Sequence, residues 1–240
     1  MKDEATNGTP GGVLWDLDGT LIDSGELHYE AWRAVLRGLG RPFDRGAFAN
    51  SFGKRNDTIL RELLHVEGGD DDLRRIGDDK EERYRALVRR HGVPLLPGAM
   101  AWLRGLKQDG WRQAIATSAP LANVEATLEP LGLRDYFDAV VSADEVGRGK
   151  PDPLVFLTAA ERLGVAPARC VVVEDAPAGL EGARRGGMAS IGVLSGHFAS
   201  LEADLVVPSL EALAEDAFAR LLRDRERGPA EVKEADPAPQ

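Results

Sequence analysis

The sequence predicts an α/β protein: a doubly wound, mostly parallel sheet that carries an all-helical insertion. Three observations lead there. Short apolar runs of strand length recur along the chain, and from the second onward they alternate with helical stretches, as a parallel sheet covered on both faces requires. After the first run, by contrast, about seventy residues pass without a convincing strand, far beyond a usual βα loop of ~2–6 residues.

The strands are expected at 13–15, 113–116, 139–141, 171–173 and 189–193, each a short apolar run. The helix after Pro153 shows the alternating element: Phe156, Ala160 and Leu163 fall at i, i+4 and i+7, and Gly164 stops it. The strandless stretch reads as helices at 27–39, 58–64 and 73–90, with His28, Trp32, Val35 and Leu39 sharing one face of the first. Gly92, Pro94 and Pro97 mark the return. The expected division is therefore a core of 1–22 and 95–222, a helical domain of 23–94 and a tail of 223–240. The tail mixes both charges with three prolines and should be disordered. No repeat at a solenoid period is visible.

Composition narrows the class. The chain has 240 residues, 43% hydrophobic and 29% charged, so it is globular rather than disordered from end to end. No apolar run approaches the ~18 residues of a membrane span, and residues 1–12 lack the apolar core of a secretory signal. A lone cysteine, Cys170, suits a reducing compartment. A net charge of −10 argues against a sequence-blind hold on nucleic acid or anionic lipid. A soluble, cytoplasmic protein is expected, with neither nucleic acid nor membrane as partner.

Four motifs carry chemistry. The first strand runs into Asp16-Leu17-Asp18-Gly19-Thr20. Period 2 puts Asp16 and Asp18 on one side of the strand end, where two like charges need a cation between them or a shared proton. The bland reading is an Asx-type turn. A helix–loop–helix calcium loop fails, because its sixth position would be Leu21 and its twelfth Leu27. The second strand ends in Thr117-Ser118-Ala119-Pro120; Ser118 suits a helix N-cap, and the same place suits a phosphate. Lys150, in Gly149-Lys150-Pro151, is either a solvated surface charge or an ammonium aimed by stiff backbone at an anion. The fourth strand exits into Glu174-Asp175, with Gly179 beyond. Asp175 suits a helix cap, and both acids suit a hard cation such as magnesium. Three of these motifs begin at the carboxyl ends of strands, and Lys150 lies on a loop between two of them. In an open parallel sheet those ends share the edge where ligands bind.

In this order the residues resemble the haloacid dehalogenase superfamily of phosphotransferases, from Val13 to about Leu222. Within it, His28-Tyr29-Glu30-Ala31-Trp32 and Gly149-Lys150-Pro151 resemble the β-phosphoglucomutase-like subgroup, which also holds many sugar-phosphate phosphatases. The resemblance implies a Rossmann-like sheet with a small helical cap at 23–94. It implies Asp16 as nucleophile and Asp18 as general acid and base, partly protonated beside its neighbour. Gly19, Thr20, Thr117, Ser118 and Lys150 would hold phosphate. A Mg2+ ion would sit on the Asp16 carboxylate, the Asp18 backbone carbonyl and Asp175, with Glu174 direct or through water. The dehalogenases of the superfamily lack an acid at the second position, so Asp18 favours phosphate transfer.

The resemblance also sets phosphatase against mutase. His28 lies where the mutases position their acid and sugar; its bland reading is a core histidine near Trp32. The mutase cap loop has a lysine before the glycine and an arginine three after it; here those places hold Phe52 and Asn56, with Lys54 and Arg55 as replacement grips. The departure favours a phosphatase acting on a small phosphorylated metabolite, a sugar phosphate, with the mutase as alternative. A monomer or weak dimer is expected. A non-catalytic binding protein would be favoured had Asp16, Asp18, Lys150 or Asp175 been missing, and none is.

Overall fold

The computed structural model describes residues 10–51, 53–195 and 198–227. Six strands form one parallel sheet: β1 (Gly12–Trp15), β2 (Arg112–Ala116), β3 (Ala139–Val141), β4 (Cys170–Glu174), β5 (Ala189–Val193) and β6 (Leu205–Val207). Their order is β3-β2-β1-β4-β5-β6, so the winding direction reverses between β1 and β4, the crevice where such sheets bind ligands. In register, Trp15 stands opposite Ile115 on one side and Val173 on the other.

Period 2 decides which side chain joins which core. Val13 and Trp15 face a cluster built with α5 (Ala99–Gln108), α6 (Leu121–Leu131) and α9 (Ala217–Arg227). Leu14 faces the opposite cluster, built with α7 (Leu154–Leu163) and α8 (Pro177–Arg185). Both faces are buried, which is why the strands read as continuous apolar runs. Trp15 is fully buried, and its indole N–H donates to Gln113 Oε1 at 3.0 Å, so the one polar atom of that ring is satisfied.

Between β1 and α5 the described chain is helical: α1 (Gly25–Gly38), α2 (Arg45–Ser51), α3 (Asn56–Thr58) running on as a π turn over Ile59–Leu63, and α4 (Asp70–His91). Tyr29, Trp32, Leu36, Phe43, Phe48, Ile59, Leu60 and Leu73 form a separate small core among them, while Ala31, Tyr84 and Val88 turn to the main one. The outgoing and returning strands of chain lie side by side, with Ile22 bridged to Leu95 and the Asp23 N–H donating to Pro94 O at 2.9 Å.

The five expected strands are present, each within a residue at either end. Corrections fall elsewhere. β6 and α2 were not expected: β6 is three residues long on a sheet edge, and α2 is a single short amphipathic turn pair, so neither has room for a clear period. Leu39 is past the end of α1 and 47% exposed, so it leaves the face it was assigned to. The helix expected at 58–64 starts at Asn56 and loosens into the π turn. Residues 223–227, assigned to a disordered tail, continue α9, whose Phe218, Leu221 and Leu222 are buried; 228–240 lie outside the described residues.

Candidate active site

Asp16 is the first residue beyond β1. Its backbone N–H donates to Val173 O at 3.0 Å, which holds it against the end of β4. Leu17 is buried in the core, and its carbonyl accepts the N–H groups of Leu21 and Ile22 at 3.0 and 3.1 Å. The turn needs Gly19 at φ +85°, a conformation costly for any residue with a Cβ. Thr20 is fully buried in that turn, and neither it nor Gly19 lines the cavity that Asp16 and Asp18 share.

Two opposed groups of partners surround the aspartates. Lys150, 9% exposed, donates from Nζ to Asp16 Oδ1 at 2.6 Å and to Glu174 Oε1 at 2.7 Å; it is no solvated surface charge. Burial opposes its charge, yet Asp16 and Glu174 hold the ammonium above its ordinary pKa. Glu174 Oε2 accepts the Ala176 N–H at 2.8 Å. Asp175 accepts from Ser195 Oγ at 2.7 Å through Oδ2 and caps no helix. Its other oxygen is buried with no hydrogen-bond partner among the described residues. Burial first, then Glu174 and Asp16, push the Asp175 carboxyl well up.

Asp18 faces the helices instead. Its Oδ1 accepts from Ser24 Oγ at 2.6 Å, His28 Nε2 at 3.0 Å and Tyr84 OH at 3.4 Å. Lys80 Nζ lies 2.9 Å from His28 Nδ1. An ammonium can only donate, so Nδ1 accepts and Nε2 carries the proton that points at Asp18. The ring stacks on Tyr84, 3.9 Å between centroids, rather than on Trp32.

These surroundings reverse the expected sharing of the proton. Burial lifts the Asp16 carboxyl to about 8, opposed by Lys150 and helped by Glu174. Burial also acts on Asp18, but His28, Ser24 and Lys80 bring it down to about 2. In the metal-free site the proton affinity of Asp16 is therefore the higher of the two, because it sits among carboxylates while Asp18 sits among donors.

Asp16, Glu174 and Asp175 bring one carboxylate oxygen each within 4.8 Å of one another. Three buried acids with a single ammonium and one orphaned oxygen fit a hard divalent cation.

Thr117 and Ser118 line the same cavity as Asp16 and Asp18. Thr117 Oγ1 accepts the Ala119 N–H at 3.0 Å, and the backbone at Pro120, not Ser118, starts α6. The helical side contributes Lys54, Asn56, Lys80 and Glu81. Arg55 is placed differently. Its guanidinium donates to the carbonyls of Ala143 and Val146, both at 3.0 Å, and its stem packs on Gly149. Phe52 lies outside the described residues. Ser24, Lys80, Glu81 and Tyr84 were not foreseen. A signal existed for two of them: Leu73, Gly77, Lys80, Tyr84 and Val88 mark one buried stripe of α4, and a lysine in such a stripe is out of pattern.

Among known proteins, residues 11–187 match the haloacid dehalogenase-like hydrolase family. Fructose-1-phosphate phosphatase YqaB of Escherichia coli (strain K12) is 37% identical over 185 residues, 76% of this chain and 95% of that protein. Beta-phosphoglucomutase of Bacillus subtilis (strain 168) is 34% identical over 201 residues, 81% of this chain and 88% of that one. The crystal structure of CbbY from Rhodobacter sphaeroides in complex with phosphate superposes with a TM-score of 0.79 at 30% identity, covering 88% of this chain and 99% of that chain.

Proposed function

The chain belongs to the haloacid dehalogenase-like hydrolase family, among its sugar-phosphate phosphatases and phosphomutases, and from that premise we propose a magnesium-dependent phosphatase that hydrolyses a small sugar phosphate through an aspartyl-phosphate. The observation that carries the choice of phosphatase is the fate of the loop after α2. Asn56 stands where a mutase has its phosphate-gripping arginine, and its amide is spent on Glu81 Oε1 at 2.7 Å. Arg55 is spent on backbone carbonyls across the seam. Lys54 is the cation that this loop presents to the cavity, too little to hold a second phosphate in a fixed register.

In this reading Asp16 attacks phosphorus, the ester P–O bond breaks, and the leaving oxygen takes a proton from Asp18. Asp18 then takes a proton from water, whose oxygen attacks phosphorus and frees Asp16 and inorganic phosphate. The carboxylate state of Asp18 at about 2 suits that second step. For the first, a bound phosphate dianion raises the proton affinity of Asp18 as any neighbouring negative charge does. Lys150, Thr117 and Ser118 hold phosphoryl oxygens. Mg2+, on Asp16, Glu174, Asp175 and the Asp18 carbonyl, would supply positive charge that keeps Asp16 ionised and eases its approach to an anion.

Residues 23–94 act as the cap, with the Ile22–Leu95 pairing as its root. The cavity under it holds about 50 Å³, against ~300 Å³ and more for small-molecule sites, so the cap swings open to admit a sugar phosphate. The protein works in the cytoplasm.

Phosphorus NMR with Mg2+ and a sugar-phosphate panel tests this, with β-glucose 1-phosphate primed by a trace of its 1,6-bisphosphate included. Growth of inorganic phosphate is expected. Conversion of the 1-phosphate to the 6-phosphate with little free phosphate would make the protein a mutase, with Lys54 gripping the distal phosphate.

A further inference from the structure

Lys80 and Glu81 follow one another on α4, and both are buried, at 3% and 6% exposure. A buried ion pair of neighbours is costly to desolvate and is weak evidence for stability alone. Glu81 gathers donors from three elements. Lys80 Nζ at 2.9 Å and Asn56 Nδ2 at 2.7 Å meet Oε1, and Asn123 Nδ2 at 2.6 Å meets Oε2. Asn123 belongs to α6, on the core side of the seam. Its carbonyl oxygen accepts from Arg85 at 3.0 Å, so residues one turn apart on α4 grip both ends of a single carboxamide. Gly77 leaves room for Asn56, since a Cβ there would stand 3.2 Å from Asn56 Cβ. Burial works against charge on Glu81, but the Lys80 ammonium and the hydrogen bonds from Lys80 and Asn123 hold its carboxyl below the usual glutamate range. Lys80 in turn has His28 Nδ1 as its other hydrogen-bond partner and the rings of Trp32 and Tyr84 within 5.5 and 5.6 Å.

We propose that Glu81 is a positioning residue for Asp18: fastened to the core through Asn123, it holds Lys80 against His28 and so aims the His28 N–H at the acid carboxylate. The assignment rests on the phosphatase reading above. Because the chain of contacts runs from α4 through the α6 amide, it is complete only while the helical insertion is seated on the core. Poising of the acid is thereby tied to closure, without Glu81 itself handling the phosphoryl group.

The test uses the whole chain with Mg2+ and two esters: the best sugar phosphate of the panel and p-nitrophenyl phosphate. Rapid-quench single turnovers isolate the first half-reaction. A phenolate departs with little need of a proton, whereas a sugar alkoxide needs one. For Glu81→Gln the sugar phosphate rate should fall about 10–100-fold with KM within about threefold, while the nitrophenyl ester loses no more than about threefold. Asn123→Ala should show the same split more weakly, and the double variant should fall no further than Glu81→Gln. Equal losses on both esters would mean a merely structural residue, and a raised KM with rate intact would mean a substrate contact; either overturns the proposal. An unchanged sugar phosphate rate in both variants overturns it too. A wild-type protein inactive on both esters would instead overturn the phosphatase reading, and this assignment with it.

Discussion

Gly179 to alanine is a substitution whose sign the structure reverses. Gly179 lies in the first turn of α8, and in an ordinary helix the change stabilises by about 1 kcal/mol. Here an added Cβ would fall 1.9 Å from Glu174 Oε1, 2.1 Å from its Cδ and 2.6 Å from its Cγ. The glutamate is 1% exposed and has no open side to retreat into. Moving it surrenders the 2.7 Å bond to Lys150 and the 2.8 Å bond from the Ala176 N–H. Breaking a buried pair costs about 3–5 kcal/mol, so the net loss is about 2–4 kcal/mol. In a chain of this size that lowers the Tm by roughly 4–16 °C. Thermal unfolding followed by circular dichroism in EDTA reads the stability, and ester turnover with Mg2+ reads the site, where a drop of about tenfold or more is expected. A Tm equal to or above wild type, with turnover retained, would refute the placing of Glu174 against this glycine.

Other consequences arise from the same cluster. Lys150→Met leaves the Asp16, Glu174 and Asp175 carboxylates without their ammonium. Turnover should fall by about 100-fold or more, and Mg2+ should raise the melting temperature of this variant more than that of wild type; an equal rise would contradict the shared site. Asp16→Asn should abolish turnover and leave the fold intact. In metal-free protein Asp16 is raised from its ordinary 3.8 to about 8. Its contribution to stability is thus complete below pH ~4 and lost as pH rises through ~8. Melts in EDTA across that window should slope downward for wild type and less for Asp16→Asn. Asp18 is lowered to about 2 and works the other way: its contribution is present above pH ~4 and lost as pH falls toward 2. Cys170 is fully buried and burial pushes its thiol up to about 12, so a thiol reagent should label it only at the rate of unfolding. Labelling of the native protein within the mixing time would contradict the burial.

Five of the six strands, the long helical insertion and the clustering of Asp16, Asp18, Thr117, Ser118, Lys150, Glu174 and Asp175 were legible in the sequence. Each rests on local information. A three-to-five-residue apolar run buried on both faces looks alike wherever it occurs, and parallel connectivity delivers every strand end to one edge. The residues just past a strand's carboxyl end therefore lie near the site, whatever the packing. The short β6 and α2 were not legible, because three strand residues or seven helical ones hold too little of a period to stand out.

Tertiary structure alone decided what surrounds each of these groups. The sequence places two aspartates side by side and says nothing of which holds a proton. The fold sets Asp16 among buried carboxylates and turns Asp18 toward Ser24, His28 and Tyr84, so their proton affinities separate in the direction opposite to expectation. It likewise spends Arg55 and Asn56 on the seam and leaves Lys54 facing the cavity, although the three are neighbours in the chain. Electrostatic energy depends on distance and burial in space. Asp18 and Tyr84 are 66 positions apart and Glu81 and Asn123 are 42 apart, and no local pattern carries that information. The chain's own periodicity brings these residues to one edge of the sheet, and the packing of α4 against α1 and α6 determines what surrounds each acid.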